Sequence, residues 1–161
     1  MLSKSIFSQL EALDKRPIGL KKFKMDNHYS ESYIKEILDE VKTIAIVGAS
    51  ANHQRDSYKV MDSLIQHGYQ IFPINPNEKG NLILGQLCYP DLSSVPVKID
   101  MVDVFRVSDA VLGITQEAIQ IGAKVLWTQL GVVNEEASEL GKSAGLKVIM
   151  NRCPKIELEK Q

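Results

Sequence analysis

The residues of this chain best suited to chemistry lie in one stretch, Gly48-Ala49-Ser50-Ala51-Asn52-His53-Gln54-Arg55-Asp56-Ser57-Tyr58. A buried apolar run, Thr43 to Val47, precedes it, and a segment of helical period follows. Strand, glycine turn, polar loop and helix start is the order that an anion site requires. Free backbone N–H groups at a helix N-terminus and the positive end of the helix dipole stabilise a phosphate. Gly48 and Ala49 make the turn, Ser50, Asn52 and Ser57 add donors, Arg55 adds charge, and Tyr58 opens the helix. The competing reading is a plain strand-to-helix connection in which Asp56 or Ser57 caps the helix.

The identity of the anion is narrowed by what the loop lacks. A dinucleotide fingerprint needs glycines at positions 50 and 53, where this chain has Ser50 and His53. An NAD site also asks for an acidic residue about 20 positions on, at the end of the next strand, to bond the ribose diol. Asn75 and Pro76 stand there, with Lys79 close behind. The pattern favours a nucleotide with an additional phosphate, and NADP and coenzyme A both qualify.

Other reactive residue types offer less. His28, His53 and His67 have no setting that suggests a nucleophile or a metal ligand, and His67, just before Gly68, reads as a helix C-cap residue. Cys88 and Cys153 belong to no paired spacing, which argues against zinc and for a reducing compartment. Cys153 follows the last strand, so it lies at the sheet edge where ligands bind, and a buried inert thiol is the expectation. Asp100 and Asp103 share a strand. Asp103 could equally form an ion pair with Arg106, and neither aspartate is assigned as a general base. Phe105 and Trp127 occupy apolar positions suited to a core. No catalytic residue and no metal ligand is assigned.

The elements that must position these residues follow from periodicity. Short β-branched runs alternate with helical segments from residue 30 onward. Helices are expected over Ser32–Val41, Ser57–His67, Ser108–Ile121 and Asn134–Ala144, the last capped by Asn134 with Glu135 and Glu136 in its first turn. Strands are expected over Thr43–Val47, Tyr69–Ile74, Ile99–Phe105, Lys124–Thr128 and Leu146–Met150, with a short pairing segment at Gln86–Tyr89. Such alternation calls for right-handed crossovers and an α/β, Rossmann-like, doubly wound parallel sheet of five or six strands. Ligands then bind outside the carboxyl ends of the strands, so the loops that matter begin at Gly48, Asn75, Phe105 and Gln129.

The chain has 161 residues, 44% hydrophobic and 24% charged, with a formal net charge of −1, as expected for one globular domain. That balance leaves no global field to attract nucleic acid, and no apolar run approaches the ~20 residues of a membrane span. Charge is uneven, because residues 1–24 hold six Lys/Arg against Glu11 and Asp14. The expected organisation is a basic extension over residues 1–29 ahead of a domain over 30–161, in a cytoplasmic protein. Mitochondrial targeting by residues 1–24 is the lesser alternative, since a presequence is usually Arg-rich and free of acids.

Taken together, certain motifs resemble a known family: small stand-alone CoA-binding proteins similar to the N-terminal domain of the succinyl-CoA synthetase alpha subunit. The resemblance runs from about Tyr33 to Glu157. It is carried by Val47-Gly-Ala-Ser50, Arg55-Asp-Ser57-Tyr58, Pro73-Ile-Asn-Pro76, Gly85-Gln-Leu-Cys-Tyr-Pro90, Val102-Asp-Val-Phe-Arg106, Leu126-Trp-Thr-Gln-Leu-Gly-Val-Val-Asn134 and Asn151-Arg-Cys-Pro-Lys-Ile-Glu157. It implies CoA or an acyl-CoA in the cleft, with pyrophosphate at the helix near Ser57, the adenosine 3′-phosphate near Lys79 and pantetheine passing Phe105 and Arg106. The ligase relies on a phosphorylated histidine from a second domain, and catalysis of that kind is not expected of this chain. The expectation is non-catalytic binding of CoA or acyl-CoA, for sensing or in the service of a partner enzyme. An NADP-dependent oxidoreductase and a nucleotide-free interaction scaffold are the alternatives.

Overall fold

The structure is a computed structural model, and residues 28–161 are described. Five parallel strands form the sheet: β1 (Thr43–Val47), β2 (Gln70–Ile74), β5 (Met101–Val104), β6 (Val125–Thr128) and β7 (Lys147–Ile149), in the spatial order β2-β1-β5-β6-β7. A separate antiparallel pair, β3 (Leu82–Ile83) and β4 (Gln86–Leu87), lies between β2 and β5 in sequence. The α/β, Rossmann-like expectation holds, with five strands in the main sheet. β5 and β6 are buried along their whole length, as strands covered on both faces must be.

Alternation along the strands sorts side chains between two layers. Ile44, Ile46, Met101, Val125, Trp127 and Ile149 face one layer, which packs on α1 (Glu31–Glu40), α2 (Asp56–Gln66) and α5 (Pro154–Glu159). Ala45, Val47, Val102, Val104, Leu126 and Val148 face the other, against α3 (Val111–Gln120) and α4 (Glu135–Ser143). Local signals set the helix ends. Ser30 Oγ accepts from Tyr33 N at 3.2 Å to start α1, and Asn134 Oδ1 accepts from Ala137 N at 2.9 Å to start α4. His67 is the C-cap of α2, its Nδ1 lying 2.7 Å from Ser63 O.

The departures from expectation have local causes. The segment expected as one helix from Ser108 begins as a 3₁₀ turn, Ser108–Ala110, before α3. α5 was not expected; its signal is Pro154 at the first helical position, where a missing N–H costs nothing. The basic stretch 1–24 lies outside the described residues. Tyr29, at the end of the expected extension, packs on the α1 side of the sheet and accepts from Met150 N at 2.9 Å.

Strand order places the site. The chain steps from β1 to β2 on one side, then returns past β1 to β5 on the other, so the crossovers diverge above β1 and β5. A crevice must open there.

Candidate functional site

A cleft of about 1270 Å³ opens over the carboxyl edge of the sheet. Each strand of the sheet delivers residues to it: Gly48 to Ser50 after β1, Asn75 and Pro76 after β2, Phe105 and Arg106 after β5, Gln129 to Val132 after β6, and Cys153 beyond β7.

The turn at Gly48 is dictated by crowding. Gly48 has φ +90°, and a Cβ there would sit 2.6 Å from Phe105 O and 3.1 Å from Arg106 Cδ, so the β5 loop lies directly against the glycine backbone. Gly48 N and Ala49 N donate to Ile74 O at 3.1 and 3.3 Å, and Asn75 Nδ2 donates to Ala49 O at 2.8 Å. The loops after β1 and β2 are therefore clasped together before any ligand arrives.

The helix entry leaves polar groups without protein partners. Arg55 is the N-cap of α2 and makes no side-chain cap bond, so neither Asp56 nor Ser57 caps the helix. Tyr58 N and Lys59 N reach Arg55 O, whereas among the described residues no acceptor meets Asp56 N or Ser57 N. Ser57 is only 5% exposed, lines the cleft, and its hydroxyl has no partner among the described residues. A buried hydroxyl without a partner costs free energy that an acceptor from a ligand would recover. Arg55, Lys59, Arg106 and Lys155 bring positive charge to the lining, against Asp56, Asp91 and Glu117.

Of the residues selected from sequence, Gly48, Ala49, Ser50, Arg55, Ser57, Asn75, Pro76, Phe105 and Arg106 are brought together around this cleft. Asn52, Tyr58 and Lys79 are not among its lining. Asn52 Oδ1 accepts from Gln54 N at 3.0 Å and shapes the loop, and Ser50 Oγ likewise accepts from Asn52 N at 3.1 Å. The Tyr58 ring lies 4.8 Å from that of His53 and packs on the core. Lys79 is exposed at the end of a 3₁₀ turn, Pro76–Glu78, where its charge helps hold the Asp91 carboxyl below its ordinary range after the Ser93 and Ser94 hydrogen bonds.

Of the alternatives open to Asp103, the ion pair with Arg106 does not form. Asp103 lies on the same sheet face as Met101 and is fully buried, and both its oxygens accept from Gln129 Nε2, at 3.0 and 3.2 Å. Burial pushes its carboxyl up to about 8, and the Gln129 bond opposes that shift. Asp100 stays at the opposite edge, accepting from Lys42 N and Thr43 N. Cys153 is buried, and its thiol is pushed up by desolvation. Cys88 is buried too, under Asn75 O, and is pushed up for the same reason.

Sequence reasoning marked the loop beginning at Gln129 but selected no site residue in the far half of the cleft. Gln129, Leu130, Val107 and Ile156 line it, and Val107, Leu130 and Ile156 are exposed by 69, 58 and 42%. The available signals were a charged residue within the apolar strand Met-Val-Asp-Val and a polar residue directly after Val-Leu-Trp-Thr.

Fold and cleft together define a doubly wound α/β domain with a cleft at its switch point. Residues 42–159 match the family described as CoA binding domain, and the chain belongs to that family. It is similar to the Bacillus subtilis protein YneT, at 39% identity over 79% of this chain and 93% of that protein. It is also 30% identical to the alpha subunit of the ADP-forming acetate–CoA ligase I of Pyrococcus furiosus, over 70% of this chain but only 24% of that subunit. Among solved structures, a hypothetical protein from Pyrococcus horikoshii OT3 superposes with a TM-score of 0.79 and 38% identity, covering 87% of this chain and 97% of that one. No helix among the described residues is long and apolar enough to cross a membrane.

Proposed function

We propose that the cleft binds coenzyme A or an acyl-CoA, and that the domain holds this ligand without transforming it. The observation that carries the reading is Ser57: a buried hydroxyl without a partner in the first turn of an eleven-residue helix, beside backbone N–H groups that also lack acceptors. A pyrophosphate supplies what all of them lack. Arg55 and Arg106 flank that position and Asn75 clasps it, while family membership supplies the kind of pyrophosphate. Lys79 stands outside the lining, although its charge acts on Asp91, which belongs to it.

The non-catalytic reading rests on the reactive groups near the ligand. Burial disfavours the Cys153 thiolate, and His67 caps the far end of α2. The ligase alpha subunit from Pyrococcus furiosus matches this chain over a minor part of its length, which suggests that the domain serves CoA to, or withdraws it from, a partner enzyme.

Thermal unfolding with CoA, dephospho-CoA, NADP and NAD tests the assignment. A ligand at 100 times its dissociation constant adds about 2.7 kcal/mol, enough to move the melting temperature by several degrees. The expected order is CoA above dephospho-CoA, with little response to NAD. A shift with NADP and none with CoA overturns the reading.

A further inference from the structure

One fully buried carboxyl lies under the cleft. Asp103 stands between Ile46 and Trp127 across the strands, and its donor is a single amide: Gln129 Nε2 reaches both oxygens, at 3.0 and 3.2 Å. Among the described residues nothing else donates to either oxygen. An ionised carboxylate offers about four lone-pair sites, and one amide nitrogen cannot fill them away from water.

The surroundings supply no compensating charge. α1 and α2 bring Ile37, Leu38, Val60 and Met61 to this layer of the core, and their titratable groups in it are the phenols of Tyr33 and Tyr58. From the start of α5 comes the Cys153 thiol, whose ionisation a charge on Asp103 opposes. Lys155 is paired with Glu159, and Glu157 with Arg152 and Lys160. Burial therefore holds the Asp103 proton up to about 8.

The lining of the cleft above it carries four cationic side chains against three carboxylates. That near balance cannot neutralise a ligand bearing several phosphates, so the ligand's remaining charge is felt in the low-dielectric floor. A carboxylate at Asp103 would repel it, and a proton on Asp103 removes the conflict.

We propose that Asp103 is a proton switch for ligand binding: the cleft holds a polyphosphate ligand while Asp103 is protonated, and loss of that proton weakens the hold. The proposal rests on the CoA reading and adds a regulation to it. Its sign is fixed by linkage. The bound ligand makes the proton harder to remove, so affinity is level in acid and neutral solution and falls as pH rises beyond the value of the free carboxyl. In that alkaline range, binding takes up a proton.

Calorimetric titration of the full chain with CoA at pH 7 and pH 9, each in two buffers of different ionisation enthalpy, reads both affinity and proton uptake. Wild-type protein should bind CoA about 3- to 10-fold more weakly at pH 9, tenfold being close to the limit that linkage sets for a carboxyl titrating near 8. Asp103→Asn, neutral at every pH and still an acceptor for Gln129 Nε2, should bind as wild type does at pH 7 and lose the additional weakening and the proton uptake at pH 9. Carbon NMR of the aspartate carboxyls in wild-type protein gives a reading that needs no variant: the one titrating near 8 should move to higher pH when CoA is added. Equal pH dependence in wild type and Asp103→Asn overturns the proposal, as does a carboxyl midpoint that CoA leaves in place. If wild-type protein binds CoA at neither pH, it is the CoA reading that fails.

Discussion

An alanine Cβ at Gly48 would lie 2.6 Å from the carbonyl oxygen of Phe105, closer than such atoms approach. The same Phe105 donates its N–H to Val47 O at 2.8 Å, so the β5 loop cannot retreat without losing a ladder bond. This contact sets the spacing between the β1 and β5 loops, and with it the position of Arg106 at the cleft.

Gly48→Ala should therefore destabilise the protein by roughly 2–4 kcal/mol, combining an unfavourable positive φ with overpacking. Gly68 provides the control. It has φ +92° but nothing within 4 Å of an added Cβ, so Gly68→Ala should cost only about 1–2 kcal/mol. Urea denaturation of both variants checks the difference, and equal losses would show that crowding at Gly48 is relieved by movement of the loop.

Ser57→Ala should separate binding from folding. The hydroxyl is buried without a partner, so its removal leaves stability unchanged or slightly raised. Affinity for CoA should fall by roughly 1.5–3 kcal/mol, the worth of a hydrogen bond to a charged group. Ser57→Asp places a carboxylate where the phosphate is proposed to sit and should abolish binding, at some cost in stability because the position is buried. Wild-type affinity in Ser57→Asp would remove the pyrophosphate from this helix.

How far the sequence could be read depended on whether a signal was local. Gly48 followed by a polar loop and Ser57 announces the half of the cleft beside α2, because strand, turn and helix start are contiguous. Asn75 was legible from its place at the end of β2, although its bond to Ala49 O was not. The other half of the cleft is assembled from residues far apart in the chain. Asp103 and Gln129 meet only because β5 and β6 are neighbours, and Ile156 reaches the cleft only because α5 packs against α1 and α2. Periodicity reports which residues are buried, not which strand lies beside which.

The contact between Tyr29 and Met150 predicts where the domain begins. Met150 is fully buried, and its N–H donates to Tyr29 Oη at 2.9 Å, while the Arg152 guanidinium stands 5.4 Å from the Tyr29 ring centre. Tyr29→Phe leaves that N–H without this acceptor and should cost about 1–2 kcal/mol; Tyr29→Ala also removes the ring and should cost more. Melting temperatures of the two variants provide the check, and no change in either would return Tyr29 to a loosely attached extension.

Asp103 gives the fold a pH dependence of definite sign. Its carboxyl, ordinarily 3.8, is pushed up to about 8 by burial. Below pH 4 the folded and unfolded chains both hold the proton. Between 4 and 8 only the folded chain keeps it, so folding takes up a proton and stability falls as pH rises, by up to about 1.4 kcal/mol per unit from this group. Above 8 the penalty is constant. Asp103→Asn removes the titrating group and leaves every other one in place, so the difference between variant and wild type isolates it. The variant should gain stability relative to wild type as pH increases from 5 to 8, and the gap should level off beyond. Urea midpoints at pH 5, 6.5, 8 and 9 measure this. A difference that does not vary with pH would mean that Asp103 is ionised in the folded protein throughout, held so by Gln129 strongly enough to outweigh its burial.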